Sequence, residues 1–130
     1  MIVVDASVVL EVLLRTADAE AIEARLFAPG ETLHAPHLLD LEIAQVLRRY
    51  CRSGEISPAR GTEALADLAA MPIDRYPHTL FIPRIWGLRN AMTAYDAAYI
   101  ALAEALGASM VTRDARLAKA GGHSALIELI

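Results

Sequence analysis

Apolar positions along the chain recur with two different spacings, and the two spacings alternate. A short β-branched run at 2–4 and the stretch at 109–112 predict buried strands, and further strands are predicted at 33–35, 73–76 and 125–130. Between them, apolar residues three and four apart predict helices at 8–14, 17–28, 37–52, 58–70, 80–91, 93–106 and 114–120. Strands that alternate with helices predict an α/β fold with a mostly parallel sheet covered by helices on both faces.

Composition narrows the class of protein without naming a function. The 130 residues are 55% hydrophobic and 22% charged, which excludes a disordered chain and predicts a single domain over residues 1–130. No apolar run is long enough to predict a membrane span, and the first residues lack the basic start of a secretory signal. The only cysteine, Cys51, cannot form an internal disulfide, so we expect a cytoplasmic protein.

Two aspartates stand where a strand gives way to a helix. Asp5 follows the first strand, and Asp114 follows the strand at 109–112. In open α/β sheets, ligands bind beyond the carboxyl ends of the strands, so both residues are candidates for a binding site. The alternative is that each is only a helix N-cap, a position that favours Asp.

Two further acids lie on or beside apolar helix faces. Asp96 is in the first turn of the helix at 93–106, on the face of Tyr99 and Ile100, although a capping box with Thr93 would also explain it. Glu42 falls roughly 60° from Leu39 around its helix, on the flank of the buried stripe, unless it is a plain surface residue. Its neighbour Asp40 lies on the other flank and is the weaker candidate.

If these four acids converge, several negative charges meet in a half-buried site. Oxygen ligands without His or Cys favour Mg²⁺ or Mn²⁺, and carboxylate-held Mg²⁺ serves phosphoryl chemistry. Ser7 and Thr112 are equally suited to hydrogen-bond such a site or to cap helices. The four histidines are scattered, and we expect them in loops or on the surface. Neither glycine-rich phosphate-binding motif occurs, which argues against hydride transfer and P-loop hydrolysis.

Four segments resemble PIN-domain ribonucleases, and most closely the VapC-type toxins of bacterial toxin–antitoxin pairs. They occur in the family's order and are IVVDASVVLEVLL, LEIAQVLRR, LRNAMTAYDAAYIALAEAL and MVTRDARLAKA. The resemblance implies a three-layer α/β/α PIN fold and Mg²⁺- or Mn²⁺-dependent endonuclease activity on RNA. The family's four acidic catalytic positions fall on Asp5, Glu42, Asp96 and Asp114, with Asp5 and Asp96 as the principal metal ligands. The polar residue two positions before the last acid falls on Thr112.

The resemblance also implies a homodimer and a small antitoxin that blocks the site. An apolar stretch made of Phe81, Ile85, Trp86 and Leu88 is a candidate for the dimer contact. The alternatives are a PIN nuclease that processes RNA or cleaves DNA outside a toxin–antitoxin pair, and a binding module of the same fold without catalysis.

Charge bears on the expected RNA substrate in two ways. A net charge of −4 argues against nucleic acid, unless bound cations neutralise the clustered acids. Eleven of the twelve basic residues are Arg, the better phosphate ligand. The candidates for contacting the RNA backbone are Arg84, Arg89, Arg113 and Arg116.

Overall fold

A five-stranded, entirely parallel sheet forms the centre of the protein. In the computed structural model, which describes residues 1–130, the strands run in the order β3-β2-β1-β4-β5. Their bounds are β1 Ile2–Val4, β2 Leu33–Pro36, β3 Ile73–Tyr76, β4 Ser109–Thr112 and β5 Ile127–Leu129. Each strand is three or four residues long. Strand β1 is buried throughout, as its continuous apolar run predicts, and β2 is also buried throughout although it contains a histidine.

Helices cover both faces of this sheet. Their bounds are α1 Ala6–Leu14, α2 Ala19–Leu26, α3 Leu38–Ser53, α4 Pro58–Ala70, α5 Ile82–Gly87, α6 Ala94–Leu106 and α7 Ala115–Lys119, with a 3₁₀ turn at Thr79–Phe81. Side chains from α1 to α4 pack on one face against Ile2 and Val4, and those of α5, α6 and α7 pack on the other against Val3 and Met110. This alternation along β1 follows from the two-residue period of a strand. The predicted three-layer α/β/α architecture is thereby confirmed.

Strand β1 lies at the middle of the sheet, and the order of connections reverses there. The chain proceeds from β1 outward through β2 to β3, then crosses to the other side of β1 for β4 and β5. The carboxyl ends of β1 and β4 are therefore neighbours, with Val4 beside Val111. A crevice forms at such a reversal because the two outgoing connections leave in opposite directions.

Two local predictions are wrong. The helix predicted at 80–91 is a 3₁₀ turn followed by the short α5, which has Pro83 in its first turn and ends at Gly87, a poor helix former. His34 is not a surface residue but lies buried in β2. Its ring is tolerated there because both nitrogens have hydroxyl partners at 2.8 Å, on Thr32 and Tyr76.

No helix combines the length and the apolar character needed to cross a bilayer.

Candidate active site

The carboxylate of Asp5 is the most deeply buried charge at the carboxyl end of the sheet. Asp5 is 7% exposed and is the N-cap of α1, where it accepts hydrogen bonds from the backbone N–H groups of Ser7 at 3.0 Å and Val8 at 3.4 Å. The hydroxyls of Ser7 and Thr112 each donate to it at 2.5 Å. Burial raises the pKa of Asp5, and these hydrogen bonds oppose that rise because they stabilise the ionised form.

Asp5 therefore both caps a helix and faces the crevice, so the two interpretations of this residue hold together. Ser7 and Thr112 also touch each other, at 3.4 Å between their hydroxyl oxygens. The Ser7 hydroxyl accepts the N–H of Arg113 at 2.9 Å, which ties the start of α1 to the residue that follows β4.

Glu42 faces the same crevice from α3. Burial, followed by the negative charges of Asp5 and Asp96, raises the pKa of Glu42 to about 7. The nearby Tyr99 hydroxyl is buried beside Glu42 without a hydrogen bond of ordinary geometry, and its pKa is raised by burial and by Glu42 and Asp5. Asp5 and Asp96 thus repel the negative charge of Glu42, and the site carries an excess of negative charge.

Asp96 enters the crevice from the first turn of α6. Its backbone N–H donates to the Thr93 hydroxyl at 3.1 Å, so Thr93 is the N-cap of that helix. The reciprocal bond of a capping box, from the Asp96 side chain back to Thr93, is absent, because that carboxylate faces the other acids instead.

Asp114 is the N-cap of α7 and is the one acid of the four with a basic partner. Its carboxylate accepts from the Arg116 guanidinium at 2.7 and 3.1 Å and from the Arg116 N–H at 2.9 Å. The side-chain hydrogen bond from Arg116 is the largest cause of the lowered pKa of Asp114.

These side chains line one small cleft of about 220 Å³, called here the acid cleft: Asp5, Ala6, Ser7, Glu42, Asp96, Tyr99, Asp114, Arg116 and Leu117. The acid cleft opens beside a larger groove of about 600 Å³, the side groove, which adds Leu38, Leu41, Gln45, Val46, Thr93 and Tyr95. Leu41 and Tyr95 are 71% and 66% exposed on its walls. The two cavities share Ala6, Glu42, Asp96 and Arg116.

The donor set of the acid cleft fits Mg²⁺ or Mn²⁺. Every candidate ligand is a carboxylate or hydroxyl oxygen, and the buried Tyr99 hydroxyl marks a polar space among them. No three of these side chains already stand close enough to form a ready cage. Asp114 is held by Arg116, and the like charges of the other acids repel one another when no cation lies between them.

A family model for the PIN domain matches residues 2–123. The chain belongs to the PIN-domain family.

Curated PIN-domain relatives are similar over nearly the whole chain. Ribonuclease VapC9 of Mycobacterium tuberculosis is 44% identical over 121 residues, which cover 93% of this chain and 91% of that protein. Ribonuclease VapC12 of the same species is 40% identical over 130 residues, covering 100% of this chain and 99% of its own length. The resemblance to VapC proteins is thus confirmed.

Among solved structures, a toxin–antitoxin complex from Klebsiella pneumoniae has a similar fold. It superposes with a TM-score of 0.64 at 14% identity, covering 88% of this chain and 87% of that one. At this identity the likeness shows the fold alone.

The four acids predicted from the sequence all reach the acid cleft of this PIN domain, and their catalytic and metal-binding roles stay predictions. Asp40 does not reach the cleft, because it is held outside by Arg75 at 2.8 Å. Five cleft residues lie outside the predicted acid set, namely Ala6, Ser7, Tyr99, Arg116 and Leu117. Tyr99 could have been found from its position three residues after Asp96 on one helix face, and the pairing of Arg116 with Asp114 from their separation of two residues at the start of α7.

Proposed function

We propose that this PIN-domain protein is a divalent-cation-dependent endoribonuclease and the toxin of a toxin–antitoxin pair, using Mg²⁺ or alternatively Mn²⁺. One observation carries the proposal: four carboxylates converge on one cleft at the sheet reversal, and the pKa of Glu42 is raised to about 7 by burial and by its acidic neighbours. Only Asp114 has a basic partner, so the repulsion among Asp5, Glu42 and Asp96 favours the binding of a cation at this site. The relatives named ribonucleases, 40% and 44% identical, support RNA as the substrate.

Asp5 and Asp96 would hold the principal cation, with Glu42 and Asp114 completing the site, binding a second ion or orienting the attacking water. The hydrogen bonds from Ser7 and Thr112 favour the ionised form of Asp5 and hold its carboxylate in position. A bound Mg²⁺ supplies charge neutralisation for the phosphate and for the oxygen that leaves. Single-stranded RNA is the favoured substrate, because A-form helices hide their base edges.

The test is cleavage of a labelled single-stranded RNA by the purified protein in Mg²⁺, with DNA of the same sequence alongside. Asp96→Asn should lower the rate by more than about 100-fold, since even changes behind a metal's ligands cost 10- to 100-fold. Asp67→Asn, which changes an exposed acid on α4 far from the cleft, is the matched control and should cleave normally. Cleavage that persists in excess EDTA would exclude the metal-dependent reaction, and cleavage of DNA alone would exclude RNA as the substrate.

The proposed antitoxin places an extended or helical segment in the side groove, where Leu41 and Tyr95 offer exposed apolar surface. A Lys or Arg of that segment would reach the acid cleft and neutralise it, as a cation would. One solved structure of this fold is a toxin–antitoxin complex, which supports such a partner. The neighbouring upstream gene should encode a small DNA-binding protein whose co-expression suppresses cleavage. A complex of the two that retains full nuclease activity would contradict the arrangement.

The proposed homodimer would use the exposed face formed by the 3₁₀ turn and α5. Leu80, Ile82 and Trp86 are 83%, 50% and 67% exposed there, which is unusual for adjacent large apolar residues. Of the stretch singled out from the sequence, Ile85 and Leu88 are buried in the core of their own protomer, and only Trp86 is prominently exposed.

A further inference from the structure

Arg116 is the one basic side chain that lines either the acid cleft or the side groove. The other arginines considered as RNA ligands lie elsewhere. Arg84 pairs with Glu104 at 2.8 Å, Arg113 pairs with Asp18 at 3.0 Å, and Arg89 lies over the Trp86 ring. Of these four arginines, Arg116 is therefore the one that a substrate entering the cleft would contact.

The contact between Arg116 and Asp114 is two-pointed but exposed. The Arg116 side chain is 85% exposed and that of Asp114 is 25% exposed. Ion pairs with one partner in solvent contribute little to folding, so exchanging the partner of Arg116 costs little. The N-cap of α7 does not depend on the guanidinium, because the backbone N–H of Arg116 donates to Asp114 independently.

The charges around Arg116 set up a competition for Asp114. The Arg116 guanidinium donates to Asp114 at 2.7 and 3.1 Å, and Asp96 lines the same cleft. A carboxylate that takes part in holding a divalent cation has less negative charge to offer a guanidinium. A released guanidinium has the planar, two-pointed donor geometry that suits a phosphate.

Resting on the proposed function, we propose that Arg116 is a phosphate-binding residue that changes partners. In the metal-free protein the Arg116 guanidinium pairs with Asp114. When a divalent cation binds Asp114, the guanidinium is released and binds a backbone phosphate of the RNA that enters from the side groove. No bond is made or broken in this step, only ionic contacts.

The proposal predicts that a single substitution strengthens the binding of a divalent cation and weakens the binding of RNA. Arg116→Gln removes the competitor for Asp114, so Mn²⁺ should bind about two- to fivefold tighter, the range expected for one exposed ion pair. The same change removes one RNA phosphate contact. At saturating Mg²⁺ the KM for RNA should therefore rise several-fold with kcat little changed, and the logarithmic salt dependence of KM should become shallower by about 0.7.

Two matched variants isolate the role of the guanidinium. Lys119→Gln removes an equal charge from the exposed side of the same short helix, outside both cavities, and should change neither measurement. Arg116→Lys keeps the charge but not the two-pointed geometry, and should recover part of the KM. Melting curves of all variants confirm that each is folded.

The experiment combines Mn²⁺ calorimetry without RNA and steady-state cleavage with Mg²⁺. Weaker Mn²⁺ binding by Arg116→Gln would overturn the proposal, because Arg116 would then be needed to place Asp114. An unchanged KM would overturn it too. If the wild type cleaves no RNA, the proposed function fails, whereas the calorimetry still reports whether Arg116 competes with the cation.

Discussion

The hydroxyl of Thr112 donates to the carboxylate of Asp5 at 2.5 Å, across 107 residues of sequence. The same hydroxyl accepts the backbone N–H of Asp114 at 3.0 Å. Thr112 is completely buried at the end of β4, beside the end of β1. One side chain thus sets the position of two of the four acids, and it does so through the pairing of the two central strands.

Thr112→Val should destabilise the protein by about 2 kcal/mol, because the buried Asp5 carboxylate loses a donor and the Asp114 N–H loses its acceptor. The rate of RNA cleavage should also fall, because Asp5 and Asp114 each lose a hydrogen bond to Thr112 that positions them. Thr112→Ser keeps the hydroxyl and should retain most of the activity. Urea unfolding and RNA cleavage of the three proteins provide the measurement, and a Val variant as active as the Ser variant would contradict this role.

Asp96→Asn should leave the metal-free protein as stable as the wild type or more stable, because it removes one of several repelling charges. The N-cap of α6 survives the change, since its bond runs from the Asp96 backbone to Thr93. With a Kd of about 1 mM, roughly 10 mM Mg²⁺ adds about 1.4 kcal/mol to the wild type, or about 3–6 °C in Tm. Asp96→Asn should show a much smaller rise.

The control for this experiment is Thr93→Ala, which removes the cap and keeps the acid. It should cost about 1 kcal/mol while preserving the Mg²⁺-dependent rise in Tm. If Asp96→Asn instead lost several degrees in metal-free buffer, Asp96 would be a structural residue.

Lowering the pH should reduce the free energy of unfolding, partly through protonation of Glu104. The Arg84 guanidinium lowers the pKa of Glu104 to about 2 from an ordinary 4.5. A carboxylate with a lower pKa in the folded state stabilises the fold above pH 4.5, and that contribution disappears as pH falls from about 4.5 to about 2. Because Arg84 is partly exposed, we expect the contribution to be about 1 kcal/mol.

Unfolding in urea at pH 6, 4 and 3 measures this contribution. Glu104→Gln should be less stable than the wild type at pH 6 and should lose the difference as the pH falls. Glu55→Gln, which changes an exposed acid beyond α3, should follow the wild type throughout. A constant difference between Glu104→Gln and the wild type at all three pH values would contradict the assignment.

Substituting both Leu80 and Trp86 by Ser should convert the proposed homodimer to a monomer. A stable interface of this apolar kind buries on the order of 2,000 Å², and these two residues would lie at its centre. Light scattering at micromolar concentration is the measurement. Leu41→Ser removes an equally exposed apolar residue from the side groove and should leave the dimer intact. A monomeric wild type would exclude the dimer.

Much of the architecture was predictable because its signals are local. The apolar run at residues 2–4 predicted β1, and Ser57 before Pro58 predicted the start of α4, where the Ser hydroxyl accepts the Arg60 N–H. The three-layer arrangement followed from the alternation of strands and helices. The helix predicted at 80–91 was wrong because a short apolar stretch with Pro83 and Gly87 suits a turn and a brief helix equally well.

The sequence by itself identified the candidate acids, because Asp5 and Asp114 each follow a strand and the helical period places Asp96 and Glu42 on or beside a buried face. Only the tertiary structure decided the partners of those acids. Thr112 reaches Asp5 because β4 pairs with β1, and Asp40 is drawn to Arg75 on β3. The exception is Arg116, whose pairing with Asp114 is local, because the two residues are only two positions apart at the start of α7. The physical reason is that periodicity is a property of one segment, whereas a hydrogen bond or ion pair depends on the distance between segments that only packing brings together.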